Sequence, residues 1–286
     1  MGRLPAMTGD LTQPARDKRM LVVFSGPRAG SNLLVDILGQ LPDVLALSEV
    51  FNPAGIYGLS LHPELEAELA DRAGGPQVLA RLFRMNPPEA LALLDAAVPQ
   101  DKAIVLKILP HQVHLAALRE CLKTQALGAL ILTRRRLDQY ASYLKARETG
   151  VWFGANTSAL GPEGRAEQAL AFAGMLDAWL ADVARLCDGA GVARATVDYD
   201  RDLLPGTSDD RARHLSRHLT TLGFDVPAWE FPSASYFQRQ DGTEDALDKF
   251  CNGLELGKAL RGLDALDHLM SAYRPWPAPG SAPDDD

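Results

Sequence analysis

Val22-Val23-Phe24-Ser25-Gly26-Pro27-Arg28-Ala29-Gly30-Ser31-Asn32-Leu33-Leu34 passes from a short apolar strand, through a Ser/Gly/Pro turn, into a helix with apolar residues at Leu34, Ile37, Leu38 and Leu41. A strand, a tight turn and a helix N-terminus together form a phosphate cradle, because free backbone N–H groups and the helix dipole both point at the anion. The loop departs from the nucleotide-hydrolase pattern G-x-x-x-x-G-K-[ST] at its two chemical positions. Aligned on Gly30, the Lys of that pattern becomes Ser31 and its metal-binding hydroxyl becomes Asn32. Arg28 supplies positive charge instead. The stretch therefore reads as a site for a nucleotide used without triphosphate chemistry, and no metal is expected.

Outward from this loop, strands are expected at Met20–Phe24, Val44–Ser48, Ala103–Ile108, Leu127–Thr133 and Ala193–Val197. Ile104-Val105-Leu106 and Ala129-Leu130-Ile131-Leu132 are continuously apolar, as parallel strands covered on both faces should be. Helical spacing recurs at Leu115, Leu118 and Leu122, and again at Phe172, Met175, Leu176, Trp179, Leu180 and Val183. Ser208 to Leu222 predicts a helix with Ser208 as N-cap and Gly223 as its stop. Pro53 to Pro99 reads as short helices broken at Gly74-Gly75-Pro76 and Pro87-Pro88, an insertion placed to act as a substrate-facing lid. The expected fold class is α/β, a P-loop-like open parallel sheet flanked by helices with a helical insertion. Residues 20–274 are expected as a single domain, with flexible tails at 1–19 and 275–286, the latter acidic and Pro-rich.

Composition narrows the functional classes. The chain has 286 residues, 47% of them hydrophobic, enough for one large α/β core. A net charge of −8 argues against a nucleic-acid surface, so any phosphate site must be a local cluster. Cys121, Cys187 and Cys251 are scattered without metal-ligand spacing and are expected reduced and mostly buried. No apolar run has the length of a membrane span, and residues 1–19 lack a signal-peptide core. These features fit a cytoplasmic protein.

A second constellation lies at the end of the Ala129–Thr133 strand, where Arg134-Arg135-Arg136 leads into a helix through Leu137-Asp138-Gln139-Tyr140-Ala141-Ser142-Tyr143-Leu144-Lys145. Ligands of open parallel sheets bind beyond the carboxyl ends of the strands, where this triplet and the Ser25–Asn32 loop both fall. Arg suits bidentate phosphate recognition, and Ser142 offers a hydroxyl from the following helix.

Together these segments resemble the donor-binding motifs of the sulfotransferase superfamily, which uses 3′-phosphoadenosine 5′-phosphosulfate. Its 5′ loop has the form [ST]-x-x-R-[SA]-G-[ST]-[STN]-L, matched here by Ser25, Arg28, Ala29, Gly30, Ser31, Asn32 and Leu33. Its 3′-phosphate motif is a strand-end Arg with a Ser eight residues on, matched by Arg134 and Ser142, with Asp138 between. Arg239-Gln240-Asp241, followed by an acidic helix to Phe250, is similar to the C-terminal donor segment of the bacterial carbohydrate branch, which includes trehalose and nodulation sulfotransferases. Leu144 to Trp152 also looks like that branch, and Val197 to Leu203 is similar to its Tyr-[ED]-x-Leu segment with one extra residue. The resemblance covers residues 20 to 251. It implies a carbohydrate or glycolipid acceptor and a homodimer. Asn32 stands where Thr is commoner, and three successive arginines leave the register open, so Arg135 could share the role given to Arg134.

Two positions compete for the base. In the steroid and phenol enzymes of the superfamily a His lies two residues after a strand-end Lys; here Leu109 holds that place after Lys107. His111 and His114 follow closely, but a His at a helix start is more often a cap or surface group. Glycan-type enzymes place a Glu after the second strand, as in Leu47-Ser48-Glu49-Val50-Phe51 here. Glu49 is the preferred base, and partial burial is expected to raise its pKa. Lys107 is the candidate for neutralising the transferring sulfonate, together with Arg28. Trp152 and Phe153 could stack on a sugar. The competing readings are a catalytically silent nucleotide-binding scaffold and a nucleoside-type kinase; the latter is opposed by the missing loop Lys and hydroxyl.

Overall fold

Uninterrupted apolar runs become central strands with both faces covered. The computed structural model describes residues 20–124, 127–152, 156–204, 207–224, 226, 231 and 241–273. The strands are β1 (Met20–Ser25), β2 (Val44–Ala46), β3 (Ala103–Ile108), β4 (Leu127–Thr133) and β5 (Arg194–Asp198). All pairings are parallel, in the order β2-β3-β1-β4-β5. The fold is therefore the expected open parallel sheet flanked by helices. Parallel neighbours need long crossovers, and helices supply them.

The helices are α1 (Ser31–Gly39), α2 (Pro63–Ala73), α3 (Pro76–Met85), α4 (Pro87–Ala97), α5 (Leu115–Thr124), α6 (Arg136–Thr149), α7 (Ala166–Ala190), α8 (Ser208–Thr221), α9 (Gly253–Gly262) and α10 (Leu266–Leu269). Alternation along β1 sorts them into layers. Met20, Val22 and Phe24 pack with Leu94 of α4, Leu118 and Leu122 of α5, and Trp179 and Val183 of α7. Leu21 and Val23 pack on the other face with Leu34, Ile37 and Leu38 of α1 and Leu215 and Leu219 of α8. A third cluster joins α6, α7 and α9 through Leu137, Ala173, Leu176, Leu256 and Leu260.

The Pro53–Pro99 segment breaks where its Gly and Pro residues require. Pro63, Pro76 and Pro87 each open a helix, where a missing N–H costs nothing and φ is already set. Gly74 closes α2 at φ +86°. These helices bury Leu69, Leu79, Phe83, Leu91 and Leu94 in the same cluster as β1 and β3.

Four expectations shift. β2 ends at Ala46 rather than Ser48, although Leu47 N–H still donates to Val105 O at 2.7 Å and Lys107 N–H to Ser48 O at 3.2 Å, so the chain stays alongside β3. The N-cap of α8 is Thr207, in a reciprocal capping box with Asp210, and not Ser208, because a Thr hydroxyl satisfies the N-terminal donors equally well. The segment 241–246 is not helical, and only Leu247–Lys249 forms a short 3-10 turn. Cys251 is exposed, whereas Cys121 and Cys187 are buried and burial pushes both thiols up to about 12. The expected tails and Arg239 lie outside the described residues.

Candidate active site

The carboxyl ends of β1, β3 and β4 converge on the loop between β1 and α1. Gly26 to Gly30 make the tight turn, with Ala29 N–H donating to Gly26 O at 3.4 Å and Ala29 fully covered. Gly30 has φ +94°, and a Cβ there would meet the Tyr199 ring at 2.3 Å. Only Gly serves both demands, the left-handed backbone and the close approach. Ser31 begins α1 and is buried, so the helix N-terminus faces the cradle.

Arg28, itself at φ +66°, is the hub of the contacts around the cradle. Its Nε donates to Ser142 Oγ at 3.0 Å and its Nη1 to the Trp152 carbonyl. Arg134 Nη1 donates to the Arg28 carbonyl at 2.9 Å, and its guanidinium lies 4.5 Å over the Tyr199 ring. Burial, and then the neighbouring Arg134, lower the Arg28 pKa to about 10. The sequence-predicted set Ser25, Arg28, Gly30, Arg134 and Ser142 is thus brought together.

The three successive arginines have separate partners. Arg134 alone of the triplet turns to the cradle. Arg135 pairs with the buried Asp138 at 2.5 Å and donates to Glu244 O at 2.9 Å. Arg136 pairs with Asp177 at 2.9 Å and donates to Ser271 O at 2.8 Å. Asp138 also holds Lys249 at 2.7 Å, so the acidic position of the motif is structural.

The second half of the site follows from strand register. Lys107 pairs with Val23 across β3 and β1, and paired residues point to the same face. That face is covered by α1. Lys107, 3% exposed, consequently reaches Asn32 Oδ1 with its Nζ and pairs with Glu49 Oε1 at 3.0 Å. Glu49 Oε2 accepts from Asn52 Nδ2 at 2.8 Å and from Gln112 Nε2 at 2.7 Å. Gln112 Oε1 in turn accepts from Leu109 N–H at 2.9 Å, which fixes the orientation of its amide.

The expectation of a raised Glu49 pKa is corrected. Burial raises it, but Lys107, Asn52 and Gln112 outweigh burial and hold the carboxyl below its ordinary value. Lys107 is also lowered, by burial first, with Glu49 opposing and Arg28 adding to the fall. Glu49 is therefore held as a carboxylate, and its contact with Lys107 opposes the loss of the ammonium proton that burial favours. His111, at φ +68°, and His114 are exposed and contribute nothing to it.

Sequence reasoning missed Tyr199, Asn52 and Gln112. Tyr199 is placed by a π-helical turn, Tyr199–Leu203, where the Asp198 side chain accepts from the N–H groups of Asp200 and Arg201. Asn52, three residues after Glu49, is the one with a readable signal, since a polar residue at that spacing in a turn can reach back.

Five buried side-chain polar atoms have no hydrogen-bond partner among the described residues, and two of them, Ser25 Oγ and Arg134 Nε, lie at the cradle. Such atoms are costly unless something pairs with them. Both belong to the predicted donor set, and an anionic ligand would satisfy them. Among the described residues no group of three or more His, Cys, Asp or Glu could hold a metal ion.

No protein-family model and no curated protein matches the sequence. Among solved structures, the chain is similar to a sulfotransferase from Alicyclobacillus acidocaldarius, at 13% identity over 87% of this chain and 94% of that one, with a TM-score of 0.46. It is also similar to the sulfotransferase domain of the Synechococcus PCC 7002 olefin synthase, at 16% identity over 91% and 90%, with a TM-score of 0.43. Likenesses at this level assign neither a family nor an activity, and function is argued from the side chains of the site.

Proposed function

We propose that the protein transfers a sulfuryl group from 3′-phosphoadenosine 5′-phosphosulfate to a hydroxyl of a carbohydrate-like or glycolipid acceptor. The observation that carries this reading is the Lys107 bridge, which joins the carboxylate of Glu49 to Asn32 at the mouth of the cradle. A cationic side chain thus meets the loop at the residue where nucleotide hydrolases present a metal-binding hydroxyl.

The residues present fit the donor. Ser25, the Gly26–Ser31 backbone and Arg28 would hold its 5′ end, and Arg134 with Ser142 its 3′-phosphate; Arg239 is assigned to the donor by resemblance alone. The donor supplies an activated sulfonate whose bond to phosphate oxygen breaks on transfer. Glu49 would accept the proton of the acceptor hydroxyl, and Lys107 would offset negative charge as it builds. A carboxylate held below its ordinary pKa is a weak base towards a resting hydroxyl. It becomes effective once the oxygen bonds to sulfur and its proton grows acidic, so Lys107 and Glu49 act in concert.

The test is transfer of label from sulfur-labelled donor to fractionated glycans and lipids. Glu49→Gln should lower the rate about 10²–10⁴-fold while leaving adenosine 3′,5′-bisphosphate binding near wild type. Normal turnover in Glu49→Gln would remove Glu49 as base. Donor binding without transfer to any fraction would favour the silent scaffold.

A further inference from the structure

A buried carboxylate outside the proposed chemistry, Asp202, anchors the π-helical turn Tyr199–Leu203. Its Oδ2 accepts from the Asp198 N–H at 2.8 Å, and its Oδ1 accepts from Arg201 Nε at 2.9 Å. Two histidines one turn apart on α8 face it. His218 Nε2 lies 3.1 Å from Oδ2, and His214 Nδ1 lies 3.4 Å from Oδ1. Burial raises the Asp202 pKa, but His218, Arg201 and the Asp198 N–H outweigh it and hold the carboxyl well below the usual carboxylate range. α8 is itself fixed, since Ala212, Leu215 and Leu219 share a core cluster with Tyr199 and Leu203. Leu204 N–H donates to Tyr199 O at 3.1 Å and closes the wide turn, a rare geometry that recurs at functional sites.

This turn meets the Arg134 segment twice. The Tyr199 ring lies against the Arg134 guanidinium at 4.5 Å, and Asp200 Oδ2 accepts from the N–H of the next residue, Arg135, at 3.1 Å. Arg134 Nη1 donates to the Arg28 carbonyl at 2.9 Å, but its Nε has no partner among the described residues. One hydrogen bond leaves a guanidinium free to swivel, whereas an aromatic face against it fixes its plane. We propose that Asp202, held by His218 of α8, is a positioning residue: it locks the turn that sets the Tyr199 ring, and so aims Arg134 at the 3′-phosphate of the donor. This rests on the donor reading above. The consequence is selectivity. Asp202 matters for a nucleotide that carries a 3′-phosphate and not for one that lacks it, although its carboxylate contacts the turn and α8 rather than Arg134.

Two measurements on the full chain test it. In the ligand-free protein the Arg134 Nε–H resonance, assigned by its absence in Arg134→Lys, should carry an upfield ring-current shift from Tyr199. Tyr199→Leu should abolish that shift and Asp202→Ala should reduce it. Asp202→Asn keeps an oxygen for the Asp198 N–H and should restore most of it. Calorimetric titration should show Asp202→Ala weakening adenosine 3′,5′-bisphosphate about tenfold, the worth of a desolvated cation–π contact, with 5′-AMP near wild type. A merely structural role would lower the melting temperature and leave both the resonance and the ratio of the two affinities in place. That result overturns the proposal, as does an equal loss for both nucleotides. Should Asp202→Ala fail to fold, His218→Leu, which removes one partner of the carboxylate, must move the resonance and the ratio in the same direction, and no movement overturns the proposal. A resonance that responds as expected, in a wild type that binds the bisphosphate and 5′-AMP equally, removes the donor reading and leaves the positioning of Arg134 standing.

Discussion

Lys107→Met removes the bridge between Glu49 and the cradle while keeping most of the buried stem. Lys107 is 3% exposed and its partner Glu49 19%. Breaking a fully buried pair typically costs about 3–5 kcal/mol. Glu49 keeps the amides of Asn52 and Gln112 and some contact with solvent, which brings the expected loss nearer about 2 kcal/mol. In a domain of this size that lowers the melting temperature by about 4–8 °C. The loss must depend on pH. In wild type the folded-state pKa of Glu49 lies below its unfolded value, so its stabilising contribution is complete above the ordinary carboxylate range and fades as pH falls through the folded value. Without Lys107 burial dominates and the carboxyl rises, so the variant forgoes that contribution at neutral pH. Urea denaturation of wild type and Lys107→Met should give a gap that is full at pH 7 and narrows below about pH 4. In a cycle with Glu49→Gln the two losses should be strongly non-additive. A gap unchanged from pH 7 to acid, or additive losses, would refute the coupling between Lys107 and Glu49.

Other variants probe the geometry around that pair. Gly30→Ala places a side chain at φ +94° and 2.3 Å from the Tyr199 ring, and should cost about 2 kcal/mol or more, of which Tyr199→Leu recovers only the steric part; calorimetric melting of the single and double variants checks this. Gln112→Leu removes a 2.7 Å donor from Glu49, so the Glu49 carboxyl should titrate at higher pH by carbon NMR, and an unmoved midpoint would show that Gln112 does not stabilise the carboxylate. His111→Ala alters an exposed side chain and should leave labelled-sulfonate transfer near wild type, whereas a dead variant would move the base to that segment.

Much of this site could be read along the chain because it is built at strand ends. The apolar runs Ile104–Leu106 and Ala129–Leu132 mark β3 and β4, and the loop after β1 carries its chemistry in contiguous letters. Pro63, Pro76 and Pro87 mark their helices in the same local way. What sequence could not give is the set of contacts made across the fold. The choice of Arg134 over Arg135 depends on Asp138 and Glu244 claiming Arg135, and Glu244 lies over a hundred residues away. Gln112 reaches Glu49 across 63 residues, and Tyr199 covers Gly30 from the end of the edge strand β5. The direction of the Glu49 pKa turned on the same kind of fact: burial was legible from the strand end, but the contacts from Lys107 and Gln112, which with Asn52 outweigh it, come from far along the chain.

The central claim is a site for an adenosine nucleotide with a 3′-phosphate, and calorimetric titration tests it most directly. Adenosine 3′,5′-bisphosphate and 5′-AMP are compared in wild type and in Arg134→Ala. Arg134 is 9% exposed and its Nε has no partner among the described residues, so a phosphate there gains a desolvated, charge-assisted donor. The bisphosphate should bind wild type more tightly than 5′-AMP. Arg134→Ala should weaken the bisphosphate by about 2 kcal/mol, roughly thirtyfold, with little change for 5′-AMP. Equal affinities in wild type, or equal losses for the two ligands, would contradict it.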